Sequence, residues 1–312
     1  MLVIAGPTGS GKSALALEVA ESCNGTIINA DSAQVYRELR VLTARPTASD
    51  EARAPHCLYG ILSAAERCSA GRWRELALAA IAAARAAGRQ PIIAGGTGLY
   101  IRSLIQGLAA VPAIPERVRT DAAALWARLG RDGFRNALAE RDPGAAARLP
   151  AGDRQRLLRA WEVVQATGRT LSDWQAAAVP AAVDAPDGSF ATLVLLPPRE
   201  ILYPMLDSRL LRMIAAGAVD EVRRLLALEL DPTLPAMKAL GVRELAGFLD
   251  GSMPLEAAVA TAQQATRRFA KRQMTWLRHQ LPGAAAFHEQ YSERSKAEIF
   301  AFIRHMLLTS RT

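Results

Sequence analysis

Cysteine is scarce in this 312-residue chain, and long apolar runs and internal repeats are missing. The three cysteines, Cys23, Cys57 and Cys68, are odd in number and show neither CxxC nor metal-ligand spacing. They imply a reduced, cytoplasmic setting and argue against a disulfide scaffold. No apolar run reaches the about 18 residues that a membrane-spanning helix needs. The opening segment Leu2-Val3-Ile4-Ala5 has no charged stretch before it and no cleavage site after it, so it reads as a first strand, not a signal peptide. Nothing repeats at solenoid periods.

What is present is a chain half apolar, long enough to bury a sizeable core, with 38 Lys and Arg against 30 Asp and Glu and a net charge of +8. The excess suits a polyanionic partner. An alanine- and arginine-rich composition produces the same excess, so charge alone does not choose a nucleic acid.

Short β-rich runs (Leu2–Ala5, Thr26–Ala30, Gln90–Ala94) alternate with helical patterns (Ser13–Cys23, Arg72–Ala87). Such alternation predicts an α/β fold, a parallel sheet flanked by helices. Phe190–Leu196 is a further strand, closed by Pro197-Pro198. Between them the chain turns helical, opened by Pro112 and Pro115 and closed by "VPAAVDAPDGS". The expected organisation is a core of residues 1–111 and 190–312 interrupted by an all-helical insertion, 112–189. Beyond Pro198 the helical stretches are Leu202–Ala216, Ala218–Leu228, Leu255–Gln280 and Ser292–Leu308.

Gly6-Pro7-Thr8-Gly9-Ser10-Gly11-Lys12-Ser13 has the GxxxxGK[ST] pattern, after a strand and before a helix. Glycines let backbone N–H groups converge on phosphate oxygens, and the helix N-terminus adds partial positive charge. Lys12 would neutralise the terminal phosphate, and the Ser13 hydroxyl would ligate Mg²⁺. The motif reports a polyphosphate without saying whose. Asp31 ends the second strand at the edge where ligands of open α/β sheets bind. It could hold Mg²⁺ through water, accept a proton from a nucleophile, or cap a following helix. The third long strand ends in Gly95-Gly96-Thr97-Gly98, a second glycine-rich loop for which a nucleotide kinase has no use.

Taken in order, "GPTGSGKS", "INADSAQVYRE", "TARP", "GGTGLYIRSLIQG", "DRQRLLRAWEVVQATGRTLS", "RLLRMIAAGAVDEV", "MKALGVREL" and "TRRFAKRQMTWLRHQ" resemble the tRNA dimethylallyltransferase (tRNA isopentenyltransferase) family. The resemblance runs from about Val3 to Gln280. It implies a P-loop NTPase-like core and transfer of a dimethylallyl group from dimethylallyl diphosphate to N6 of adenosine 37. That base lies in the anticodon loop of tRNAs reading codons that start with U. It further implies that Gly6 to Ser13 hold the diphosphate with Mg²⁺ on Ser13. Lys12 and Arg209 would stabilise the leaving group, Asp31 would be the general base, and Thr97 a second polar group at the reacting centre. The modified nucleotide would meet Asp31, Ser32, Ala33, Gln34 and Thr97, and Gln34 would offer its amide to a base edge. The base would flip out of its stack to be reached. Arg119, Gln155, Arg156, Leu157, Leu158, Arg159, Lys238, Arg243, Lys271, Arg272, Gln273 and Trp276 match tRNA-contacting positions.

Read without the resemblance, several of these residues have plainer roles. Arg209, Arg156 and Arg159 suit solvated helix faces, and Phe269 and Trp276, seven apart, suit a core stripe. From Ala257 to His288 there is no acid, while Arg267, Arg268, Lys271, Arg272 and Arg278 cluster. A one-signed face of this kind fits a phosphate backbone. The chain departs from the family pattern at Met205, where an arginine is usual, at Val242 for a tyrosine, at Cys57 for a histidine, and in Cys68-Ser69-Ala70-Gly71-Arg72-Trp73, where a "YSAA-F"-like segment is usual. The competing functions are a P-loop kinase of a small metabolite or nucleotide and a non-catalytic RNA-binding module. A monomer in the cytoplasm, acting on tRNA and away from membranes, is the expectation.

Overall fold

The computed structural model describes residues 1–177, 190–281 and 283–309, with side chains to 306. Contacts divide the chain into two units, Met1–Ile105 with Asp184–Thr312, and Gln106–Val183. The segment "VPAAVDAPDGS" expected to close the insertion lies outside the described residues.

In the first unit the strands are β1 (Leu2–Ala5), β2 (Gly25–Asn29), β3 (His56–Cys57), β4 (Gln90–Gly95), β5 (Ala191–Leu195) and β6 (Ala285–Phe287). Among the described residues they form one sheet in the order β3-β2-β4-β1-β5-β6, parallel at every pairing. Strands buried on both faces read as continuous apolar runs, which is why β1, β2, β4 and β5 were legible. β3 and β6 are two and three residues long, too short for any periodicity. Their pairing partners create them: Ile27 and Ile28 beside His56 and Cys57, and Leu193 to Leu195 beside Ala285 to Phe287.

The helices of this unit are α1 (Lys12–Ser22), α2 (Ala48–Arg53), α3 (Ala70–Ala86) and α4 (Gly98–Gln106), the last running one residue past the division between the units. Among the described residues of the second unit the helices are α5 (Glu116–Ala139), α6 (Pro143–Arg148), α7 (Arg154–Thr167) and α8 (Leu171–Ala176). The first unit then resumes with α9 (Arg199–Ala215), α10 (Ala218–Leu226), α11 (Val242–Leu249), α12 (Leu255–Gln280) and α13 (Glu293–Thr309). Alternate strand residues go to opposite faces of the sheet. Val3, Ile28, Ile93 and Val194 join Trp73, Leu202, Leu206, Val222 and Met274 on one side. Leu2, Ile4, Ile27 and Leu193 join Leu15, Val19, Ile299 and Ile303 on the other.

The second unit has its own core, in which Phe134 lies between Trp126 and Trp161 at centroid distances of 5.1 and 5.5 Å. Its first helix is broken at Gly130, whose φ of 67° only glycine adopts freely. No helix among the described residues is long and apolar enough to cross a membrane.

Candidate active site

β1, β2 and β4 end side by side, and the loops that leave them form the site. The phosphate loop turns into α1 through Gly11, at φ 86°, and no side chain caps that helix. Its first-turn N–H groups are left for an anion. The loop's carbonyls, by contrast, are tied down. Gly9 O accepts from Gln290 Nε2 at 3.0 Å, Ser10 O from the Tyr291 N–H at 3.4 Å, and Pro7 O from Lys12 Nζ at 3.2 Å. Fixing the carbonyls turns the amides the other way, which is the polarity an anion needs.

Lys12, Asp31 and Arg209 come within electrostatic reach of one another. Burial lowers the pKa of the Lys12 ammonium to about 8; the Asp31 charge opposes that fall and the Arg209 guanidinium adds to it. Burial also pulls Arg209 below its usual value, again opposed by Asp31. Two cations held with a single carboxylate leave an excess of positive charge, ready for a polyanion. Met205 stands one helical turn before Arg209 and is 39% exposed, so α9 carries no second arginine at that place.

Asp31 caps no helix. Residues 31–41 form bends, turns and an isolated bridge at Tyr36 and no helix, and the capping alternative falls because Asp31 Oδ1 accepts instead from the Ala33 N–H, at 2.9 Å, in an Asx turn. Asn29, fully buried, seats it. Asn29 Oδ1 accepts from the Asp31 N–H at 2.8 Å, and Asn29 Nδ2 donates to Asp31 O at 3.0 Å and Leu58 O at 3.1 Å. The Asn29 carbonyl in turn accepts from Trp73 Nε1 at 2.8 Å, and Trp73 stacks on Tyr100 at 4.6 Å. Thr97 faces the same turn: its Oγ1 accepts from the Ser32 N–H at 2.9 Å, and its own N–H donates to Ala30 O at 3.1 Å. Asn29 was not singled out from the sequence, although a polar residue ending the apolar run "TIIN" was the available signal.

Several expected nucleic-acid contacts are placed differently. Gln34 does not present its amide N–H groups outward; Nε2 donates to Thr43 O and Ala44 O at 2.8 and 3.1 Å, bracing its own loop. Gln273 is buried, with both ends of its amide hydrogen-bonded inside the unit. Leu157 is a core residue of the second unit. Arg267 is drawn out of the basic cluster by an ion pair with Asp207, in which Nη1 donates to both carboxylate oxygens at 2.6 and 2.7 Å. Val242 is buried, so the absent tyrosine is replaced by core packing.

Of the cations expected to meet tRNA, Lys238, Arg243, Lys271 and Arg272 in the first unit are exposed. Arg268, Lys271, Arg272, Thr275, Trp276 and His279 line a groove of about 580 Å³ along α12. Trp276 is half-buried, its ring against Gly98, and Phe269 carries the Arg272 guanidinium at 5.7 Å. In the second unit Gln155 and Arg156 are exposed, Leu158 is partly buried, and Arg159 and Arg119 are near enough for their charges to interact.

Ser13 sets a hydroxyl in the exposed first turn of α1. Among the described residues no three His, Cys, Asp or Glu converge as a metal cage. A hard cation sharing one hydroxyl with substrate phosphates and waters fits this donor set.

The family models that match are "IPP transferase" over residues 34–280 and "Isopentenyl transferase" over residues 1–59. A tRNA dimethylallyltransferase of Rhodospirillum centenum is 59% identical over 92% of this chain and 91% of its own. One of Rhodospirillum rubrum is 53% identical over 99% and 95%. Among solved structures, a tRNA isopentenylpyrophosphate transferase of Bacillus halodurans superposes with a TM-score of 0.72 at 29% identity, over 99% of this chain and 97% of that one. A eukaryotic dimethylallyltransferase acting on tRNA gives 0.80 at 25% identity, over 98% and 79%. With its sheet, its phosphate loop and nearly its whole length shared with these enzymes, the chain belongs to the IPP transferase family of prenyl-transferring enzymes.

Proposed function

We propose that this chain is a tRNA dimethylallyltransferase. It moves the dimethylallyl group of dimethylallyl diphosphate to N6 of adenosine 37 in tRNAs that read codons beginning with U. The observation that carries this reading is the grouping of Lys12 and Arg209 with Asp31 at the strand ends, beside Thr97. The reaction needs a leaving diphosphate to be neutralised and an exocyclic amine to lose a proton as it attacks carbon. The α1 amides, Lys12 and Arg209 bind the diphosphate and stabilise the charge that grows as the carbon–oxygen bond breaks. Mg²⁺, held by Ser13 and the diphosphate oxygens, would supply further neutralisation there. Asp31 takes the N6 proton through Oδ2, the oxygen that its turn with Ala33 does not use. Thr97, tied to Ser32, holds the acceptor side of the reacting centre.

The target adenosine reaches Asp31 by leaving its stack, which a single-stranded loop allows at modest cost. The α12 groove suits the phosphate backbone of the anticodon stem-loop, as do Lys238 and Arg243, and in the helical unit Arg119, Gln155, Arg156 and Arg159. The test is to incubate the protein with dimethylallyl diphosphate, Mg²⁺ and unmodified tRNA, then digest and separate the nucleosides. Isopentenyladenosine is the expected product. Its absence alongside ATP-dependent phosphorylation of a small acceptor would make the chain a kinase.

A further inference from the structure

Gln273 is the buried polar residue of α12, on a face otherwise made of Ala258, Ala262, Ala270, Met274 and Leu277. Burial of an amide is costly unless both its ends are bonded. Both are. Oε1 accepts from the Thr8 N–H at 2.9 Å and Nε2 donates to Gly96 O at 2.9 Å. Thr8 belongs to the phosphate loop after β1 and Gly96 to the glycine-rich loop after β4. One side chain thus spans the two loops that meet at the reacting centre, and it commits the Thr8 N–H to protein, leaving later amides of the loop for phosphate.

The same contact accounts for the glycines of "GGTG". A Cβ at Gly96 would collide with Gln273 Nε2 and lie 2.9 Å from Gly6 O. A Cβ at Gly98 would collide with the Trp276 ring, three residues along the same face of α12. Thr97 sits between these two close approaches, and its hydroxyl bonds the turn that carries Asp31.

We propose that Gln273 is a positioning residue whose amide sets the spacing between the phosphate loop and the Gly96–Thr97–Gly98 loop, and so the distance from donor carbon to acceptor N6. The inference rests on the transferase reading above. Displacing a reacting group by about 1 Å costs as much as 100-fold in rate without changing what is bound. Either loop can hold its own ligand alone; what Gln273 governs is their register.

The test uses the full chain and the nucleoside assay with wild type, Q273M, Q273N, G96A and the Q273M/G96A pair. Methionine matches the glutamine's length but offers no amide, and asparagine keeps the amide one methylene short. For Q273M and Q273N, kcat is expected to fall about 10- to 100-fold, with KM for dimethylallyl diphosphate and for tRNA within about threefold of wild type. G96A crowds the same contact from the other side, and its Cβ also approaches Gly6 O, so the pair should lose less than the product of the single losses. A kcat within threefold of wild type in either glutamine variant overturns the proposal. So does a double loss equal to the product of the single losses, or a rise in KM that accounts for the whole effect. If Q273M does not fold, Q273N carries the decision. A wild-type protein that forms no isopentenyladenosine overturns the transferase reading and this inference with it, whereas an active wild type with unaffected variants overturns the inference alone.

Discussion

At Lys12 burial and charge work against each other. The group sits at about 8 in the free protein, below the roughly 10.4 of an unfolded lysine. Between those values the unfolded chain binds more protons than the folded one, so stability rises with pH across that window, and below it the penalty is complete. Lys12→Met should therefore melt higher than wild type at pH 7, with the difference closing by pH 10. A bound diphosphate restores the ammonium. Calorimetry in two buffers of different ionisation enthalpy at pH 9 should show close to one proton taken up on binding, and none at pH 7. Asp31→Asn preserves the acceptor for the Ala33 N–H but removes the base. It should lower kcat by about 10²–10⁴-fold while both KM values stay within threefold. Parallel losses of kcat and diphosphate affinity would instead mark Asp31 as a metal holder.

One helix fixes the loop beyond Asp31. Glu221 of α10 is 4% exposed and accepts from the N–H groups of Arg40, Val41 and Leu42 at 2.8, 2.7 and 2.9 Å. Three amides around one carboxylate hold the loop in a single shape. Glu221→Ala takes the acceptor from all three donors, of which the Leu42 N–H is buried, and should cost about 2–4 kcal/mol in urea unfolding. A loss under 1 kcal/mol would mean that water replaces the clamp. The family segment "TARP", legible in the sequence, owes its placement to this anchor. Nothing in the spacing of Glu221 tied it to residues 40–42, because a partner 179 residues away leaves no periodic trace.

Over the whole molecule the +8 charge is distributed unevenly. Arg267 is neutralised by Asp207 and Arg53 by Glu21, while Arg268, Lys271 and Arg272 remain along the α12 groove. If that groove meets phosphate, Lys271→Ala and Arg272→Ala should each raise the tRNA KM and flatten the log–log salt dependence of tRNA binding by about one unit. The KM for dimethylallyl diphosphate should not move. An unchanged salt slope in both variants would take this face out of the tRNA contact.

The sequence by itself determined the class of the protein. Apolar runs set the buried strands, and GxxxxGK[ST] between a strand and a helix set the phosphate cradle. The ordered motifs from the phosphate loop to α12 carried the family. These are local patterns, decided by the bonding and burial of neighbouring residues. Tertiary structure alone decided which polar residues stand behind the site. Asn29 seats Asp31, Gln273 spans two loops, and Gln290 and Tyr291 brace the phosphate loop from a segment near the C-terminal end. It also decided that β3 and β6 exist. A two-residue strand or a buried amide is defined by the group it bonds, and that group lies far along the chain, where composition and periodicity carry no record of it.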